Sequence, residues 1–89
     1  MNKFHDWSLI RITFEWESAV VIFKLRDSFL TEQTITIHGV SNIEAPRMLA
    51  WGPSNSINEL IVDSENTGAL NIEMQTGDTI KVTGTNVDW

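Results

Sequence analysis

The chain has 89 residues, with 6 Lys+Arg against 12 Asp+Glu, a formal net charge of -6 and no cysteine. A chain of this length makes one domain, residues 1–89, with a small core. The acidic balance argues against nucleic acid or a membrane surface as partner, because both ask for a basic face, and the missing thiols exclude disulfides, thiolate metal sites and a cysteine nucleophile. Residues 1–7 carry no apolar core of the signal-peptide type, and no apolar run approaches the roughly 20 residues of a membrane span. The cytoplasm is therefore the expected location.

Residues 9–16 alternate, with Ile10, Ile12, Phe14 and Trp16 in phase and Arg11, Thr13 and Glu15 between them. That pattern predicts a half-buried strand. Glu17-Ser18 breaks it, and residues 19–26 resume with Ala19, Val21, Phe23 and Leu25 in phase. Setting Trp16 opposite Ala19 pairs Phe14 with Val21, Ile12 with Phe23 and Ile10 with Leu25, all apolar. A one-residue slip would put Ile12 and Phe14 against Lys24 and Ile22, so the register is well specified. Val20 and Ile22 make the second face apolar too. With so small a core, this predicts self-association as a homodimer.

Residues 27–32 read as a connection, and 33–38 as a third strand ended by Gly39. Residues 40–44 make a short fourth strand, stopped by Pro46, which cannot donate to a ladder. The middle of the chain is organised around Trp51-Gly52-Pro53-Ser54-Asn55-Ser56, which is loop chemistry feeding a strand over 56–63. A polar turn over 63–68 follows. Residues 69–75 alternate, with Leu70, Ile72 and Met74 inward. Gln75-Thr76-Gly77-Asp78 is a hairpin turn with Gly placed for positive φ. Residues 79–83 return with Ile80 and Val82 in phase, and 84–89 form a tail. The expectation is an all-β antiparallel fold, a small sandwich or partly open barrel of six to seven strands. Its core draws on the in-phase residues of both hairpins, Ile35, Ile37 and Trp51.

Few residues carry chemistry. His5-Asp6 could act as an acid–base pair, but neighbours on a strand point to opposite faces. His5 and His38 lack the spacing of a zinc site. The carboxylates cannot be paired from spacing, and a domain this small has little room for a glycosidase cleft. No catalytic residue, metal or cofactor is expected. Trp7, Trp16, Trp51 and Trp89 could stack sugars, as in small carbohydrate-binding sandwiches, although Trp16 is in phase with core residues. Asn58 and Asp78 lie near turns, and with Trp51 they mark a candidate protein-binding surface.

Three stretches together resemble a group of small bacterial proteins: His5-Asp6-Trp7; residues 51–58, Trp-Gly-Pro-Ser-Asn-Ser-Ile-Asn; and residues 73–80, Glu-Met-Gln-Thr-Gly-Asp-Thr-Ile. Those proteins share an opening His-Asp, a Trp-Gly-Pro-Ser loop and a Met-Gln-Ser-Gly-Asp hairpin; here Thr76 stands in place of Ser. They resemble, more distantly, an immunity-protein family of bacterial toxin conflict systems. The resemblance implies a small acidic binder that blocks a toxin in the cytoplasm, and it assigns no catalytic residues. The function expected is a non-enzymatic protein-binding module, with a tryptophan-based carbohydrate-binding module as the alternative.

Overall fold

The computed structural model describes residues 4–46, 56–62 and 68–88. Among these the chain is all-β, with eight strands in two antiparallel four-stranded sheets. The first sheet holds β1 (Ser8–Glu15), β2 (Val20–Arg26), β3 (Glu32–His38) and β8 (Asn86–Asp88), in the order β1-β2-β3-β8. The second holds β4 (Asn42–Glu44), β5 (Ile57–Val62), β6 (Ala69–Met74) and β7 (Thr79–Thr83), in the order β4-β7-β6-β5.

Alternation explains the core. Val21, Phe23 and Leu25 of β2 face inward with Ile35 and Ile37 of β3. From the other sheet come Ile57, Leu60, Leu70, Ile72, Met74, Ile80 and Val82, all buried. Each side chain of this size contributes about 1.5–3 kcal/mol when fully removed from water. Phe4 also joins the core, although the N-terminal segment gave no periodic signal. The sheets are stitched at one side by an antiparallel bridge between Ser8 and Ser56.

The first hairpin has the register its apolar pattern predicts at Ile12–Phe23 and Phe14–Val21. It departs at the other end. Leu9, not Ile10, lies opposite Leu25, because the register shifts between Leu9 and Arg11. This leaves Ile10 as the extra residue of a bulge, 37 % exposed. Phe14 is 39 % exposed and Trp16 84 % exposed, so these three are not core residues. β1 is the edge strand of its sheet, bridged on its outer side at Ser8 to Ser56, and Trp16 lies beyond its other end, in the turn. Ile12 remains half-buried against the core.

Two further differences concern extent. Residues 84–89 are not simply a tail, because 86–88 form β8 against β3. The Thr85 N–H donates to the His38 carbonyl at 2.8 Å and starts this pairing. The fourth strand is shorter than the expected 40–44. The loop around Trp51 lies outside the described residues, as does Trp89.

Candidate functional site

Three segments far apart in sequence meet at one end of the sandwich. Residues 4–7 form a tight turn, closed by a Trp7 N–H to Phe4 carbonyl bond of 3.0 Å. Asp6 takes a positive φ of 69° there, a conformation Asp tolerates better than most residues. The buried Phe4 ring anchors the turn and meets the Trp7 ring edge-on at 4.8 Å. The turn then zips onto the start of β5. The Asp6 N–H donates to the Ile57 carbonyl at 2.9 Å, and the Ile57 N–H donates to the Trp7 carbonyl at 2.7 Å.

The hairpin between β6 and β7 completes the cluster. Its turn needs Gly77 at φ 101°. The Gln75 N–H donates to the Ser56 carbonyl at 2.9 Å. The Gln75 side-chain amide donates to Asp6 Oδ1 at 2.6 Å and to the Ile57 carbonyl at 3.3 Å. One side chain thus ties the hairpin to both other segments.

His5, Asn58, Glu73, Met74, Gln75 and Gly77 line an open cleft of about 330 Å³. His5 Nδ1 lies 2.9 Å from the Asn58 carbonyl, an acceptor, so Nδ1 carries the proton of that bond. His5 Nε2 stands 3.6 Å from Asp6 Oδ1. Asn58 falls where the pairing of β5 with β6 shifts, between Ile57 and Glu59. Such an irregularity re-aims a side chain, and here Asn58 Nδ2 donates to Glu73 Oε1 at 2.9 Å.

Of the three residues marked from sequence, Asn58 belongs to this cluster. Asp78 sits behind it and is only 8 % exposed. The Thr76 hydroxyl donates to Asp78 Oδ2 at 3.1 Å, and the Met74 N–H donates to the Asp78 carbonyl at 2.8 Å. Its largely buried carboxylate holds the hairpin turn. Trp51 lies outside the described residues.

The His5–Asp6 geometry differs from the strand argument. The pair lies in a turn, where alternation does not apply, and the two side chains come together. Both are substantially exposed, and a surface pair of this kind contributes about 0–1 kcal/mol. The partners of His5 are a backbone carbonyl and the Asp6 carboxylate. His38 ends β3 at the opposite end of the sandwich from His5. Trp7 and Trp16 flank opposite ends of β1, which at about 3.3 Å per residue holds their rings far apart.

A second feature leaves the same end, because Arg26 pairs with both Ser8 and Glu32. Residues 27–31 join β2 to β3 around the Asp27 carboxylate. Asp27 Oδ1 accepts from the Phe29 and Thr31 N–H groups, each at 2.9 Å, and Oδ2 accepts from the Gln33 amide at 3.0 Å. The Thr31 N–H, then the Gln33 side chain, hold the Asp27 carboxyl below its usual range. The loop so clamped presents Phe29 at 87 % and Leu30 at 77 % exposure, with Leu30 at φ 64°. An Asp opening a short loop with a buried-type pair two residues on is the signal that sequence reasoning passed over. Comparison with protein-family models, curated proteins and solved structures gives no match to this chain.

Proposed function

We propose that the chain is a non-enzymatic protein-binding module whose contact face is the end carrying residues 27–31 and the His5–Asn58–Gln75 cluster. The observation that carries this is the pair Phe29 and Leu30, almost bare on a loop that Asp27 holds in shape. Exposing two large apolar side chains costs solubility, and a pre-shaped loop avoids the ordering entropy of binding. Such side chains are good anchors for a partner's apolar pocket. Asn58 and the Gln75 hairpin would supply polar contacts beside them, with Asp78 holding the hairpin. The net charge of -6 suits a basic partner. The resemblance to immunity proteins makes a bacterial toxin the partner class we favour, met in the cytoplasm.

The test is a pull-down from source lysate, run with wild type and with a Phe29→Ser, Leu30→Ser variant checked for folding. One stoichiometric partner that the folded variant loses supports the reading. A partner retained equally by the variant removes the loop from the face. A second reading, a carbohydrate-binding module, draws on Trp16, a residue 84 % exposed with its ring 5.6 Å from that of Phe14. Oligosaccharide titration followed by tryptophan fluorescence decides it.

A further inference from the structure

The open edge of the first sheet is shaped to meet a copy of itself. Among the described residues four strands end a sheet: β1, β8, β4 and β5. β4 and β8 are three residues each, too short to template a ladder. β5 has its pairing irregularity at Asn58 and an acidic Glu59. β1 is eight residues long, and beyond its bulge at Ile10 it carries no proline or lysine to blunt it. It also bears Phe14 exposed, with Trp16 just past its end.

Charge selects the register. Arg11 lies directly opposite Lys24 within its own sheet, and like charges so placed repel. Lys24 turns to Glu32, with Nζ 3.4 Å from a carboxylate oxygen. Among the described residues Arg11 has no ion pair. Glu15, four positions along the same edge, accepts only a Ser18 hydroxyl among them, at 3.2 Å.

We propose that two copies of this chain pair antiparallel through β1, on a two-fold axis at Thr13. In that register Thr13 meets Thr13 of the second copy and Ile12 meets its Phe14. Arg11 meets Glu15 of the second copy, twice by symmetry. Directly opposed residues share a face, so the apolar pairs continue the core side and the ion pairs lie outside. Moving the axis to Ile12 loses both ion pairs, and moving it to Phe14 sets Arg11 against Glu17, which lies past the end of the strand, in the turn. The two four-stranded sheets become one of eight strands. The contact is small, so the dimer is concentration-dependent. This inference rests on β1 alone and is independent of the loop at 27–31.

The experiment is light scattering across low to high micromolar concentration on wild type, Arg11→Glu, Glu15→Arg and the double exchange. Wild type should rise from 10.1 kDa toward twice that mass. Each single reversal should raise the dimer dissociation constant about tenfold or more, and the double exchange should restore it. A covalent readout avoids relying on these charge variants. The natural chain has no cysteine, so Thr13→Cys should oxidise to a covalent dimer, because the two Cα atoms sit within disulfide range at the axis. Thr36→Cys, on an interior strand, should not. A monomer at every concentration, a dimer indifferent to single reversals, or a Thr13→Cys chain that stays monomeric under oxidation would each overturn the proposal.

Discussion

Gly68→Ala tests the packing at the end of the sandwich opposite the site. Replacing a glycine by alanine where space allows stabilises a protein by about 0.4–1 kcal/mol, through the unfolded state. Here the sign should reverse. A Cβ on Gly68 would overlap the Gly84 carbonyl and stand 2.6 Å from the Thr85 nitrogen, both of them backbone. Backbone cannot rotate away, so the two segments must part. The Gly84 N–H to Gly68 carbonyl bond of 2.7 Å and the Thr85 N–H to His38 carbonyl bond of 2.8 Å lie in the path. Losing both costs about 0.5–1.5 kcal/mol each, and the residual overpacking about 1–3 kcal/mol. The expected loss is therefore about 2–6 kcal/mol, against a total of about 4–13 kcal/mol for a domain of this length. Thermal unfolding by circular dichroism should show Tm lower by about 10 °C or more, and amide exchange should quicken in β8 first. A variant as stable as wild type, or more so, would refute this description of the crossing.

Two further outcomes follow from local geometry. Ala19 sits at φ 54° in the β1–β2 turn, a region that costs an L-residue about 1–2 kcal/mol; Ala19→Gly should raise stability by about 0.5–1 kcal/mol in urea titration, and a decrease would count against that backbone. Asp27 has a folded-state pKa below its ordinary 3.8, so its contribution is present above about pH 4 and is lost as pH falls through the folded value. Asp27→Asn should therefore be less stable than wild type near neutrality, with the gap closing under acid. A gap that stays constant down to pH values below the folded pKa would show that the carboxylate charge does not clamp the loop.

Much of the fold was legible because its signal is local. The pairs Ile12–Phe23 and Phe14–Val21 follow from alternation plus one turn. The bulge at Ile10 does not, because an alternating pattern carries no mark of an inserted residue. The same pattern placed Phe14 and Trp16 inside, since period alone says which residues share a face and not whether anything covers that face. β8 is only Asn-Val-Asp, too short for a period; its pairing comes from a backbone contact between Thr85 and His38. The site was legible in pieces. Turn chemistry pointed to residues 75–78 and to the polar groups near Asn58. Their meeting with Asp6 spans most of the chain through Gln75, and no local signal encodes that. Phe29 and Leu30 were passed over because an apolar pair in a connection looks like an edge of the core until the strands on either side fix which way it points.

The most direct test of the binding face is a map of backbone amide shifts. The labelled domain would be held dilute enough to stay monomeric, and its captured partner titrated in. Shifts centred on residues 27–33, with 5–7 and 75–78 beside them, are the expected result. Shifts centred instead on the opposite end, at residues 16–19, 39–41 and 84–85, would contradict it.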